Sequence, residues 1–482
     1  MTFLYLLPLL TVIALLALRK GSLLQAGVAG LLLTLPAAYV ALPDAGGFAG
    51  YLAGEFGKGA WLAWQALSVI LAGLVFHNVN KSAHPELFEP GRDTAGAFSY
   101  RRLFAVCFLL GPFFEAASGF GVGMVITLPF LLRMGVTGSS AVVFALFSQI
   151  LVPWGALAVG SVVGAGLAGV TLQDIGVHSA LISTPLLFGY LAMFWRLAAL
   201  QGHAVELRQR LDDTVWVGAL AGLLYIANRY IAVETAGLFA TGVLLAVRFW
   251  RDARPSAATW RAVLRPAASY VVLTAVLLLT RTVALLRDLL QQVAVLRPGE
   301  GMLPFPLFYH VSFWLLAVAL LYGAARGTAW SQWGVIARQV WVSARIPFAV
   351  TLVFVIMAQI MASSGMAYQL AHAWSALAGR HAMLATPLFA AVAGFLTGSN
   401  VGSNAIMMPL QSALASHAAH DVHWLSAMQN TAGSNFTMLS AIRVAMGCAL
   451  VKIAGQEQEV YRRAWPLGVM ALSIFVVLVA IF

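Results

Sequence analysis

Long apolar segments alternate with short polar connections along almost the whole chain. Segments of roughly 16 to 25 apolar residues suit the hydrocarbon core of a bilayer, so each is read as a membrane span. Uninterrupted spans are predicted near residues 3–18, 23–42, 59–76, 176–195, 214–228, 231–249, 266–290, 305–323, 341–364 and 465–482. Two further spans, near 137–168 and 423–450, contain polar or proline-rich breaks. The pattern predicts an all-α polytopic membrane protein with about 12 transmembrane helices.

Two other apolar segments carry a glycine-rich polar stretch in their middle. One lies near 101–134, with its break at residues 111–124, and the other lies near 383–416, with its break at residues 397–404. Proline and glycine free backbone N–H and C=O groups, which must then be buried in protein or line a wet cavity. We therefore predict two re-entrant hairpins in addition to the spans.

The order of elements repeats, because each half of the chain ends with a hairpin, a broken helix and a whole helix. We predict a first repeat at 1–213 and a second at 214–482. With the N-terminus outside, most basic residues fall in cytoplasmic connections, as the positive-inside rule expects. The hairpins then enter from opposite sides, which makes an inverted-topology repeat with its site near the membrane midplane. The middle of the chain shows little site chemistry.

Composition agrees with this interpretation and excludes two classes of protein. The chain is 61% hydrophobic and 9% charged, where a soluble domain carries about 25% charged residues. Its 28 Lys and Arg outnumber its 17 Asp and Glu, but the excess lies in short connections and does not indicate nucleic-acid binding. Cys107 and Cys448 are isolated in apolar segments, so no disulfide framework is expected.

Two charged residues stand inside apolar segments. Glu115 is the one acidic residue in the middle of a predicted segment, and Arg443 is the clearest cation in such a position. Ionisable groups at membrane depth are costly and mark substrate or proton pathways. Glu115 could carry a proton, and Arg443 could hold a carboxylate through two hydrogen bonds. The alternative is that the two form a buried ion pair.

Small polar residues cluster in the second half, where Gly-Ser-Asn triplets begin at Gly398, Gly402 and Gly433. Hydroxyl and amide groups beside freed N–H groups at helix N-termini form a cradle for an anion. The alternative is that small residues merely permit close helix packing. We expect Asn400, Asn404, Ser434 and Asn435 to approach the tip of the first hairpin. The predicted substrate-binding residues are Ser118, Gly119, Gly121, Ser399, Asn400, Ser403, Asn404, Asn430, Thr431, Ser434, Asn435 and Arg443.

Other chemistry is weakly indicated. His417, His420 and His423 lie in a predicted extracellular connection, where solvated histidines are common, so no metal site is predicted. A membrane-embedded enzyme usually needs several acidic or histidine groups converging in one site. A single mid-membrane carboxylate therefore argues against catalysis, and no catalytic residue is predicted.

The motifs resemble those of the lactate permease family. Residues 114–121 are similar to its first signature, residues 395–404 to its second, and Asn430-Thr431-Ala432-Gly433 to a third. After the third motif, members tend to carry a lysine, a proline and a glutamine that residues 436–443 lack. Arg443 could take over the role of that lysine.

The resemblance implies a secondary active transporter that carries L-lactate, D-lactate or glycolate with protons across the bacterial inner membrane. Its expected partners are a small monocarboxylate, a proton and the lipid bilayer; a homodimer is left open, and no cofactor is expected. The alternative is a Na⁺-coupled symporter or an exchanger of another organic anion, because unwound segments rich in Ser and Asn could coordinate Na⁺.

Overall fold

The computed structural model describes residues 1–42, 47–85, 98–418 and 420–481, except for the side chain at position 380. Nearly all of this part of the chain is helical. Its strands are β1 (Val295–Leu296) and β2 (Phe305–Pro306), which pair antiparallel. The predicted all-α class is confirmed.

Helices of the first half are numbered α1 to α9. They are α1 (Thr2–Ala17), α2 (Leu23–Ala41), α3 (Phe48–Ala83), α4 (Tyr100–Ala105), α5 (Gly111–Ser118), α6 (Val122–Arg133), α7 (Gly138–Leu146), α8 (Gly155–Ala168) and α9 (Leu172–Leu200). A π-helical turn, Val106–Leu110, joins α4 to α5, and the 3₁₀ turns Phe147–Gln149 and Val152–Trp154 lie between α7 and α8.

Helices of the second half are numbered α10 to α21. They are α10 (Leu207–Tyr230), α11 (Val233–Ala253), α12 (Ala257–Thr282), α13 (Ala284–Gln292), α14 (Val311–Ala325), α15 (Trp330–Ser363), α16 (Met366–Ala378), α17 (Thr386–Thr397), α18 (Asn400–His417), α19 (Val422–Phe436), α20 (Ala441–Leu450) and α21 (Glu457–Ile481). The 3₁₀ turns Gly379–Ala385 and Thr437–Leu439 precede α17 and α20.

Many of these helices can cross a bilayer. In the described part of the chain, seven helices are long and apolar enough, namely α2, α3, α9, α11, α12, α15 and α21, and up to nine spans result if each of two bent helix pairs is one span. The predicted spans near 3–18 and 305–323 correspond to the shorter helices α1 and α14. A multi-pass membrane protein is confirmed.

The span predicted at 59–76 is part of a longer helix, since α3 begins at Phe48 and ends at Ala83. Its first turns contain Glu55 and Lys58, which interrupt the apolar pattern. The Glu55 carboxylate lies 2.8 Å from Lys58 Nζ and accepts a 2.7 Å hydrogen bond from Gln359. Because the buried carboxylate is satisfied by these partners, the helix extends through it, and Glu115 is not the only acidic residue buried within a helix.

The first predicted hairpin region consists of α5 and α6 joined by residues 119–121, all three of which have positive φ. The two helices lie very close, because a Cβ on Gly123 would stand 2.5 Å from the Gly111 carbonyl oxygen. The second consists of α17 and α18, joined at Gly398 and Ser399. The inverted relation between residues 1–213 and 214–482 stays a prediction.

Helix α8 begins with a backbone break. Ala156, Leu157 and Ala158 all have left-handed φ values, of 49°, 55° and 61°. The segments Gly138–Gln149 and Val152–Ala168 are bent by 57°. Left-handed backbone costs about 1–2 kcal/mol for each non-glycine residue, and such strain is concentrated at functional sites. The break lies against both the first hairpin and α18.

Candidate functional site

Glu115 lies in α5 with 2% of its surface exposed. Its Oε1 accepts the Gly121 N–H at 3.1 Å, and its Oε2 accepts the Gly123 N–H at 3.0 Å. These donors belong to the N-terminal end of α6, where N–H groups lack helical partners and the helix dipole is positive. The end of α6 therefore stabilises a negatively charged carboxylate at this position.

Arg443, in the first turn of α20, is the cation that faces Glu115. Its Nη2 lies 3.6 Å from Glu115 Oε1, and the two side chains are 10% and 3% exposed. The alternative of a buried ion pair is therefore what the structure contains. A separation of 3.6 Å exceeds hydrogen-bond length, and a guanidinium carries five N–H donors. Within the described residues the Arg443 side chain makes no hydrogen bond, so its donors are available to a carboxylate.

The start of α20 also links the pair to the second hairpin. Ser440 caps this helix, because its Oγ accepts the Arg443 N–H at 3.4 Å. A Cβ on Gly398, at the turn between α17 and α18, would stand 2.8 Å from Ser440 Oγ. Arg443 thus lies within one helical turn of a residue that touches the second hairpin, while its guanidinium faces Glu115 of the first.

Gly121 allows the guanidinium to lie against the first hairpin. Its φ is +82°, and a Cβ at this position would stand 2.2 Å from Arg443 Nη1. We expect Gly121→Ala to displace Arg443 in addition to straining the turn by about 1–2 kcal/mol. Substrate affinity and thermal stability of the purified variant measure the two effects.

Gly135→Ala is the matched control, because Gly135 has φ +81° and a Cβ there would meet no atom within 4 Å. It should lower stability by the backbone strain alone and leave substrate affinity unchanged. Equal affinity in the two variants would show that Gly121 does not position Arg443.

A second polar cluster centres on Asn430 of α19. Its Oδ1 accepts hydrogen bonds from Nδ2 of Asn400 (3.0 Å) and Asn404 (2.9 Å). Its Nδ2 donates to the hydroxyls of Ser161 (3.0 Å) and Ser179 (3.1 Å). One asparagine therefore joins helices α18, α8, α9 and α19, with both amide atoms occupied by protein groups.

Removing this side chain should be costly. Asn430→Ala would leave buried amide and hydroxyl groups on three other helices with fewer partners, each at about 1–3 kcal/mol. We expect a fall in melting temperature several times larger than that of Ser434→Ala, whose hydroxyl makes one bond, to the Thr431 carbonyl of its own helix. Similar melting temperatures for the two variants would contradict this role of Asn430.

Several buried oxygen atoms near Asn430 have no hydrogen-bond partner among the residues that the structure describes. They are Asn400 Oδ1, Asn404 Oδ1, Gln429 Oε1 and Thr431 Oγ1. Buried polar atoms are almost always paired, so an unpaired group calls for an explanation. These oxygens are acceptors that a hydroxyl donor or a cation could use.

The break in α8 connects the two clusters. Gly155 lies beside Glu115, since a Cβ there would stand 3.9 Å from Glu115 Cγ. A Cβ on Gly119 would stand 2.5 Å from Ala156 Cβ. Five residues beyond Gly155, a Cβ on Gly160 would stand 2.4 Å from Asn400 Nδ2. Residues 155–161 thus run from the ion pair to the asparagine cluster.

Three of the remaining predicted site residues are hydrogen-bonded to protein groups. Ser399 Oγ accepts the Gly402 N–H at 3.3 Å and caps α18, while Ser403 Oγ accepts from Gln429 Nε2 at 3.1 Å. Asn435 accepts the Tyr190 hydroxyl of α9 at 3.0 Å. Ser118, at the end of α5, is buried. Substrate binding by these residues stays a prediction. Ser434 bonds to Thr431 of its own helix, α19, and Asn435 bonds to Tyr190 of α9.

One charged cluster was missed by the sequence analysis. Arg248 of α11 is 2% exposed, lies 3.7 Å from an Asp213 carboxylate oxygen and covers the Phe104 ring at 4.3 Å. Asp213 also accepts hydrogen bonds from Tyr100 and Trp195. Because Tyr100 and Phe104 belong to α4, the cluster anchors the start of the first hairpin region to α10 and α11. The sequence did contain a signal, because Asp and Arg residues stand near the ends of the neighbouring helices α10 and α11.

Comparison with known proteins finds sequence similarity to L-lactate permeases over part of the chain. Residues 258–482 match the family model described as L-lactate permease. This region contains Asn430 and Arg443 but not Glu115. The L-lactate permease of Bacillus subtilis (strain 168) is 26% identical over 148 residues, which cover 31% of this chain and 26% of that permease. The match thus spans about a quarter of the length of this curated relative.

A solved structure shares the fold. The crystal structure of the Alcanivorax borkumensis YdaH transporter aligns with a TM-score of 0.51 over 96% of this chain and 98% of that chain, at 16% sequence identity. At this identity the likeness concerns the fold alone. The resemblance of this chain to the lactate permease family, first indicated by its motifs, is thereby confirmed over residues 258–482.

Proposed function

We propose that the protein is a secondary active transporter that carries a small monocarboxylate, such as lactate or glycolate, together with a proton across the bacterial inner membrane. The observation that carries this proposal is the buried ion pair between Glu115 and Arg443, which lies at the first hairpin and one helical turn from the residue that contacts the second. The family matched by residues 258–482 supports the choice of substrate.

Charge balance gives a reason for coupling. The Glu115–Arg443 pair is neutral as a unit, and an unpaired buried charge costs several kcal/mol. A carboxylate that bound Arg443 beside an ionised Glu115 would leave one negative charge in excess. A proton on Glu115 without a carboxylate would leave Arg443 unpaired. One proton and one carboxylate together keep the site neutral, so the pair favours their joint entry.

Each partner has a defined role in this scheme. Protonation of Glu115 releases Arg443 from its internal partner, and the guanidinium then takes the substrate carboxylate through two parallel hydrogen bonds. The N–H groups of Gly121 and Gly123 hold the Glu115 side chain in place in both states, since a protonated carboxyl retains acceptor capacity. The unpaired oxygens of Asn400 and Asn404 are acceptors for the hydroxyl of a 2-hydroxy acid.

One observation favours Na⁺ coupling as the second candidate. Na⁺ is bound by oxygen ligands, and the asparagine cluster contains buried oxygens without partners in the described part of the chain. Unwound backbone next to such a cluster, as at Ala156–Ala158, is where transporters coordinate Na⁺. In this case the cation would occupy the asparagine cluster and Glu115 would remain ionised throughout.

Uptake of labelled lactate into proteoliposomes separates the two candidates. We expect an inwardly directed proton gradient, with the outside more acidic, to drive lactate accumulation equally well in Na⁺ and K⁺ media. A protonophore should abolish this accumulation. Accumulation that requires a Na⁺ gradient and ignores the pH gradient would favour the second candidate. Unlabelled glycolate should compete better than acetate if the hydroxyl is recognised. Failure to move any small carboxylate would overturn the proposed function.

A further inference from the structure

A surface groove shares no lining residue with the Glu115–Arg443 pair. It lies between α7, α9 and α21 and has a volume of about 360 Å³. One part of its wall is apolar and includes Phe144, Met193 and Leu467. The other part carries three arginines, Arg196, Arg462 and Arg463. An apolar wall with a cluster of cations at one end matches a ligand that has an apolar part and an anionic end.

The arginines lie near the ends of two candidate membrane spans, where lipid headgroups are expected. Arg196 precedes the end of α9 by four residues, or about 6 Å at the helical rise of 1.5 Å per residue. Arg462 follows the start of α21 by five residues, or about 7.5 Å on the same scale. Met193 and Leu467 lie further from these helix ends, towards the bilayer interior. Both helices are candidate membrane spans.

The positive charge of the groove is incompletely balanced. Glu459 pairs with Arg462 at 2.6 Å and with Arg463 at 2.8 Å. Arg463 also donates to the Ser140 hydroxyl at 2.9 Å. Arg196 is exposed and has neither a hydrogen bond nor an ion pair within residues 1–42, 47–85, 98–418 and 420–481. Three arginines against one glutamate leave a net charge of +2.

We propose that this groove is a binding site for an anionic phospholipid of the cytoplasmic leaflet. The phosphate contacts Arg196 and Arg462, and an acyl chain covers the apolar wall. Basic pockets between transmembrane helices on the cytoplasmic side recognise such headgroups. A zwitterionic lipid brings its own cation close to the arginines and gains less. Free phosphate leaves the apolar wall uncovered.

Native mass spectrometry of the purified full-length protein tests this inference. The added probes are phosphatidylglycerol and phosphatidylcholine with the same acyl chains, and inorganic phosphate as competitor. We expect tighter binding of phosphatidylglycerol, little competition by phosphate, and at least tenfold weaker binding of phosphatidylglycerol by Arg196→Gln/Arg462→Gln. The matched control is Arg338→Gln/Arg345→Gln, which removes the same charge from exposed positions of α15 and should change binding less than twofold.

Three results would overturn the inference. Equal binding of the two lipids would show that charge is not recognised. Equal losses in the two double variants would indicate only a general surface attraction. Displacement of phosphatidylglycerol by inorganic phosphate would indicate an anion site without a lipid component. If the groove variant folds poorly, Arg196→Gln alone serves, because Arg196 has no partner in the described chain to lose.

Discussion

Glu115→Gln is expected to abolish pH-driven accumulation of substrate while leaving exchange of internal for external substrate measurable. Glutamine is nearly the same size and its amide oxygen can still accept from the N–H of Gly121 or Gly123, but it cannot take up or release a proton. Exchange needs no net proton movement and therefore survives. Parallel measurements of uptake and counterflow in proteoliposomes give the two rates.

Glu300→Gln serves as the control, since it removes an exposed carboxylate far along the chain from Glu115. It should accumulate substrate at the wild-type rate. A well-folded Glu115→Gln protein that still concentrates substrate against its gradient would remove Glu115 from the coupling mechanism.

Arg443→Ala is expected to weaken substrate binding itself. A lost charge-assisted contact costs about 1.5–3 kcal/mol, which is roughly a ten- to hundredfold rise in Kd. Both accumulation and exchange should therefore fall, unlike in Glu115→Gln. Folded yield should also decline, because Glu115 is left as a buried carboxylate without its cation. Isothermal titration with lactate measures the affinity, and Arg338→Ala is the exposed control.

A double variant separates a coupling role from a structural one. Removing one partner of a buried pair costs about 3–5 kcal/mol, whereas removing both can be nearly neutral. Glu115→Gln/Arg443→Gln should therefore regain the folded yield that the single variants lose. If the pair is only structural, transport returns with it. If the pair couples proton to substrate, the folded double variant neither accumulates nor exchanges lactate.

The sequence predicted the elements that depend on composition. Glycine-rich breaks at Gly119–Gly121 and at Gly398 indicated where one helix ends and the next begins. Glu115 and Arg443 were visible because charge is rare in apolar segments, and their pairing was one of two stated alternatives. Whether the two side chains meet was not predictable from the sequence, because they are more than 300 positions apart and no local pattern covers that distance.

Other features were predicted only in part. Pro153 and Gly155 indicated an interruption of the span, but the left-handed backbone of Ala156–Ala158, which contains no glycine, is not what residue preferences predict. Asn430 was a candidate ligand, yet its partners Ser161 and Ser179 lie 269 and 251 residues away. Serine in an apolar helix is common, and only the packing of three helices brings these two hydroxyls to one amide. The start of α3 was missed because the bond that satisfies Glu55 comes from Gln359 of a distant helix.

In the proposed mechanism, Arg443 exchanges Glu115 for the substrate carboxylate when Glu115 takes up a proton. Counting the protons taken up during substrate binding tests this exchange most directly. Purified protein in weakly buffered solution is mixed with lactate at a pH where free lactate is ionised, and the proton uptake is measured. The account predicts uptake of about one proton per carboxylate bound in the wild type, and none in Glu115→Gln. Lactate binding by the wild type without proton uptake would contradict it.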